Sequence, residues 1–189
     1  MTLDFFNPSP HGKILMNNCG LEQETLLGKE GRAFSDMVLL FRKIEDAVMT
    51  GPVTGAMGFV LSQVIQKMKG VSKIAPQFLD GLGRLETMVA AAVCLSDQIA
   101  LAADKNEAKL ESLVLYFRQM TGEYLKVLDQ ILNGSGIDLD LPCKYLILDL
   151  AAASRMGKSM AGIRREKLGL RLLDPGRTCW NPSFITDPV

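Results

Sequence analysis

The chain has 189 residues, enough for one domain with a substantial core and too few for two ordinary ones. Its 21 Lys and Arg cancel 21 Asp and Glu, so no global field marks it for nucleic acid or an anionic membrane surface. At 48% hydrophobic and 22% charged it is not a disordered chain, and its single histidine, His11, excludes most histidine-based catalysis and metal binding.

Aromatics make up only 6% of the residues, and a chain rich in Ala, Leu, Val and Met favours helices over sheets. The expectation is an all-α fold: one helical domain over 1–189, with an N-terminal arm at 1–20, a bundle at 32–170 and a tail at 171–189. The arm holds Pro8 and Pro10, carries Phe5 and Phe6, and lacks the basic and apolar regions of a signal peptide. The cytoplasm is therefore the expected compartment. Four cysteines, Cys19, Cys94, Cys143 and Cys179, are scattered without a CxxC pair, which predicts free and mostly buried thiols.

A first helix is predicted over 32–49. Phe34, Met37, Val38, Phe41, Ile44 and Val48 recur at helical spacing on one face, with Arg42, Lys43, Glu45 and Asp46 outside it. Gly51-Pro52 should break the chain there, and a second helix is predicted over 53–69 with Val53, Met57, Val60, Leu61, Val64 and Met68 as its stripe. No charge occurs from 47 to 66, but glycines, Pro52, Ser62 and Gln63 dilute the run. A buried core helix is the expectation, with an inserting segment at 53–65 or a true span as alternatives. Gly51, Gly55, Ala56 and Gly58 would admit a close helix neighbour, within the bundle or from a partner.

The third and fourth helices carry the strongest pattern. Phe78, Leu85, Ala92 and Ile99 recur every seven residues beside Met88, Leu95 and Ala102; Leu110, Phe117, Tyr124 and Ile131 do so beside Leu113, Met120 and Val127. Asp104-Lys-Asn-Glu107 between them reads as a capping-box-like start, and so short a connection predicts a long antiparallel hairpin, the core of an elongated bundle. Asn133-Gly-Ser-Gly136 should end the fourth helix, and Asp138 and Asp140 should cap a fifth over 142–167. Residues 144–150 could be a strand by composition, but the following alanines favour helix.

Motifs for chemistry fare poorly. Ala152-Ala-Ser-Arg-Met-Gly157-Lys158-Ser159 fits a loose phosphate-loop pattern, yet its interior lacks the glycines that turn backbone N–H groups inward. No Glu-x-x-His pair, nucleophile elbow or calcium loop is present, so neither metal nor cofactor nor enzymatic activity is expected. Charge is uneven along the chain: +5 over 151–177 against −4 over 1–150. Arg155, Lys158, Arg164, Arg165, Lys167, Arg171 and Arg177 could meet nucleic acid or an acidic partner, with Arg155, Lys158 and Arg165 on one helical face. Alanines and glycines over 151–162 repeat the small-residue theme. Trp180, Phe184 and Ile185 in the tail, like Phe5 and Phe6, must bury on the bundle or on a partner.

The function these features favour is non-enzymatic: a structural or interaction protein that binds copies of itself or another protein through helical faces and apolar arms. The runner-up is nucleic-acid binding or packaging through 155–177, and a membrane-active protein inserting 53–65 stands third.

Overall fold

A computed structural model describes residues 14–20, 22, 28–155 and 158–173. Among these the regular structure is entirely helical, with no strand. The chain divides into two units, residues 1–154 and 155–189.

In the first unit a π-helical turn, Phe34–Val38, leads directly into α1, Leu39–Val48. Then follow α2, Thr50–Met68, α3, Pro76–Asp104, α4, Leu110–Ser135, and α5, Leu141–Arg155, which ends at the boundary between the units. Each start has a local cause. Pro76 is the first residue of α3, where its missing N–H costs nothing and its fixed φ suits a helix. The Asp140 carboxylate accepts the Cys143 N–H at 3.0 Å, capping α5, while Asp138 pairs with Lys144 at 2.7 Å and is held below the usual carboxylate range by that ammonium. Gly136 ends α4 in the left-handed region, φ 67°. Residues 144–150 lie inside α5 as helix.

Two starts differ from the sequence expectation. Gly51-Pro52 does not break the chain: Met49, itself helical, is the only interruption, and the Val53 N–H bonds back to the Met49 carbonyl at 3.2 Å. Proline in a first turn loses only a donor that would be unpaired at a helix start. The capping box is also absent, because Asp104 is the last residue of α3 and α4 begins at Leu110. Asn106 instead makes the turn at φ 50°, and Glu107 pairs with Lys109 at 2.8 Å.

The core joins α2, α3, α4 and α5. The seven-residue ladders lie in it: Leu85, Ala92 and Ile99 from α3, and Phe117, Tyr124 and Ile131 from α4, are all buried. Early α3 lies beside late α4 at very short range. A β-carbon on Gly81 would stand 2.9 Å from Ile131 Cδ1, and one on Gly134 would stand 2.9 Å from the Phe78 ring. Val53, Met57, Val60, Leu61, Val64 and Met68 of α2 close over this pair. The Tyr124 hydroxyl donates to the Met57 carbonyl at 2.7 Å, and burial pushes its ionisation above the ordinary tyrosine range.

The thiols depart from expectation. Cys143 is buried, but Cys19 and Cys94 are exposed, because the α3 seam turns Leu85, Ala92 and Ile99 inward and leaves position 94 outside. Cys179 lies outside the described residues.

In the second unit α6, Lys158–Leu172, stands by itself. The expected fifth helix over 142–167 is helical throughout its described residues, as α5 up to Arg155 and α6 from Lys158; Met156 and Gly157 lie outside the described residues.

Two outcomes follow. Gly81→Leu should cost about 1–3 kcal/mol in denaturant unfolding, since Ile131 has no free space to retreat into. Alkylation followed by peptide mapping should label Cys19 and Cys94 in the native protein but Cys143 only after unfolding, because burial both shields that thiol and raises its pKa.

Candidate interaction surface

The run from Phe34 to Met68 is helical almost without interruption, and after the π-helical turn its residues from Leu39 on keep a common angular register of about 100° each. Val53, Met57, Val60 and Val64 face the core. Asp46, Ala47 and Thr50 continue that side toward the N-terminus and are also buried. Asp46 forms an ion pair with Arg118 of α4. Thr50 Oγ1 donates to the Ala47 carbonyl at 2.7 Å and lies 3.0 Å from Ser96 Oγ of α3. These polar contacts hold the end of α1 against the bundle.

The apolar stripe of the first helix points the other way. Phe41, Ile44 and Val48 lie roughly 160° around the helix from the buried side, and Phe34 and Met37 lead into them through the π-helical turn. Phe34 is 67% exposed, Phe41 66% and Val48 65%. Residues 31–44 are exposed without exception, so this part of the helix overhangs the bundle. The apolar face predicted over 32–49 is therefore amphipathic as expected but lies outside the core. Fixing α2 in the core fixes the phase of α1, and that phase carries the stripe into water. Local ion pairs support the overhang: Arg32 with Asp36 at 2.9 Å and Arg42 with Glu45 at 2.8 Å.

The stripe continues along α2, but its side chains shrink. Gly51, Gly55 and Ser62 are exposed there beside Phe59, and nothing lies within 4 Å of where a β-carbon on Gly51 or Gly55 would sit. A β-carbon on Gly58, by contrast, would stand 3.7 Å from Val89 Cγ1 of α3, in ordinary contact. Gly58 thus faces α3 within the fold, while Gly51 and Gly55 face open space.

By length and composition Phe34–Met68 and Pro76–Asp104 could each cross a membrane, at mean hydropathy 1.4. Core helices meet the same criterion, and the inward side of α2 is core.

Other concave or charged places offer less. A groove of about 410 Å³ between α3 and α4 is lined by Thr87, Met88, Ala91, Tyr116, Gln119, Met120 and Glu123. Its one carboxylate, Glu123, already faces Lys126 at 3.0 Å and Arg84 at 3.8 Å, so no acid–base pair is assembled. Among the described residues no three His, Cys, Asp or Glu side chains converge as metal ligands.

Arg155 ends α5, whereas Lys158, Arg164, Arg165, Lys167 and Arg171 belong to α6. Met156 and Gly157 lie outside the described residues, and with them whether Arg155, Lys158 and Arg165 share the predicted helical face. Within α6, Arg164, Lys167 and Arg171 share a side by spacing, while Arg165 sits about 100° away. Exposed Ile163, Leu170, Leu172 and Leu173 interleave with them. Arg177, Phe5, Phe6, Trp180, Phe184 and Ile185 lie outside the described residues.

Comparison with protein-family models, with curated proteins and with solved structures finds no match for the chain.

The anchor of α1 can be tested directly. Arg118→Leu leaves the Asp46 carboxylate buried without its partner cation and should cost about 3 kcal/mol in chemical denaturation. Adding Asp46→Ala should recover part of that loss, since the stranded charge goes with it.

Proposed function

We propose that this chain is a non-enzymatic structural or interaction protein, an elongated helical bundle built on an antiparallel α3–α4 hairpin, that binds copies of itself or a protein partner. The observation that carries this reading is the overhanging stripe of Phe34, Met37, Phe41, Ile44 and Val48, large apolar side chains in water on a helix held by polar contacts on its other side. Contiguous exposed apolar surface of this kind marks interaction sites on soluble proteins. A helix presenting i, i+3, i+7 anchors is a common recognition element. The apolar arms with Phe5, Phe6, Trp180, Phe184 and Ile185 belong to the same reading as further docking groups. Exposed unpaired thiols at Cys19 and Cys94 suit the reducing cytoplasm.

The test is the double variant Phe34→Asp with Phe41→Asp, two exposed positions that the core does not use. Unfolding free energy should stay within about 0.5 kcal/mol of the parent, as for other surface changes. Association measured by light scattering after size exclusion should be lost. An unchanged association state would overturn the reading.

A further inference from the structure

The stripe on the Phe34–Met68 run has a size gradient that matches its own reverse. Its first half presents Met37, Phe41, Ile44 and Val48 at 3-4-3-4 spacing, the seam of a helix packed against another helix. Continued along the exposed side, its second half presents Gly51, Gly55 and Ser62. Antiparallel helices bring the two halves together in layers. With the midpoint between Met49 and Thr50, Val48 meets Gly51, Ile44 meets Gly55 and Met37 meets Ser62. Every layer pairs a large side chain with a small one.

The glycines themselves call for a neighbour. An interior helix glycine costs roughly 0.5–1 kcal/mol relative to alanine. The fold has no steric need for Gly51 or Gly55, since a β-carbon at either would meet nothing. Close approach of a second backbone supplies the missing reason. A bilayer would not, because glycine gives it nothing apolar to bury. The charges on residues 32–46, Arg32, Asp36, Arg42, Lys43, Glu45 and Asp46, also sum to zero, without the cationic excess that holds interfacial helices on anionic lipid.

Resting on the interaction reading above and naming its partner, we infer that two copies of this chain pair antiparallel through the Phe34–Met68 run, seating Ile44 and Val48 of each copy on Gly55 and Gly51 of the other. Such an interface is isologous, and the contact closes at the dimer. The helices, each about 50 Å long at 1.5 Å per residue, can overlap along most of the run.

The experiment uses the full chain. Sedimentation equilibrium should give twice the monomer mass. Gly55→Leu, which the fold accepts and helix propensity favours, should halve that mass while circular dichroism keeps or gains helix. In a background of Cys19→Ser, Cys94→Ser and Cys179→Ser, the Ile44→Cys, Gly55→Cys double variant should oxidise to a covalent dimer, and Ile44→Cys alone should not. A dimer indifferent to Gly55→Leu and without the 44–55 cross-link would overturn this pairing while leaving the interaction reading intact. Cross-linking by Ile44→Cys alone would replace it with a parallel pair. A monomer that sediments with phosphatidylcholine vesicles would put lipid on the stripe, again overturning the pairing. A monomer whose Trp180 emission reddens on Phe41→Asp would put the chain's own tail there and overturn it equally. A monomer unaffected in every assay by Phe41→Asp would overturn both.

Discussion

A helix cannot rotate one half of itself independently of the other, and this rigidity decides how the molecule meets its surroundings. Sinking Val53, Met57, Val60 and Val64 into the core sets the phase of the whole Phe34–Met68 run. Val48 and Val53 are five residues apart, a step of about 500°, which places them roughly 140° apart around the axis. One apolar stripe is therefore inside and the other outside. The polar contacts of Asp46 with Arg118 and Thr50 with Ser96 reinforce that choice, because they occupy the bundle side at the point where the helix leaves it.

The core can impose this phase because its own geometry leaves little slack. Gly81 against Ile131 and Gly134 against Phe78 let α3 and α4 approach until their ladders interlock. Tyr124, fully buried, then reaches across to the Met57 carbonyl and ties α2 to α4 at one height. A shift of α2 by one residue along its axis would turn it by about 100° and strand that hydroxyl in apolar surroundings, at a cost of about 1–3 kcal/mol. The phase of α1 is thus set by a hydrogen bond and a packed face several turns away from it.

The sequence carries the core clearly and the surface poorly, for physical reasons. Seven-residue recurrence over more than three heptads survives any local irregularity, so Leu85, Ala92, Ile99, Phe117, Tyr124 and Ile131 are legible as core positions. The outward stripe was also visible as amphipathicity, but a periodic apolar face says only that something covers it, not what. Treating Gly51-Pro52 as a break removed the one constraint that would have shown the two stripes to be out of phase. Cys94 illustrates the same point at smaller scale. Burial of a lone cysteine depends on which side of a seam it occupies.

An exposed helix of this size is an unstable element on its own terms. The overhanging residues 31–44 span fewer than the roughly 15 residues an isolated helix needs to hold together in water, and all of them are exposed. Their short-range support is two surface ion pairs, each worth at most about 0.5 kcal/mol. The order of the overhang is inherited from α2 through Met49, so it frays from Phe34 inward and not from both ends. A neighbouring helix laid along the stripe would remove two costs together: the water-exposed aromatic surface at Phe34 and Phe41, and the conformational freedom left at Gly51 and Gly55. Large side chains without a cover and small ones without a neighbour are, on a single continuous helix, complementary halves of one surface.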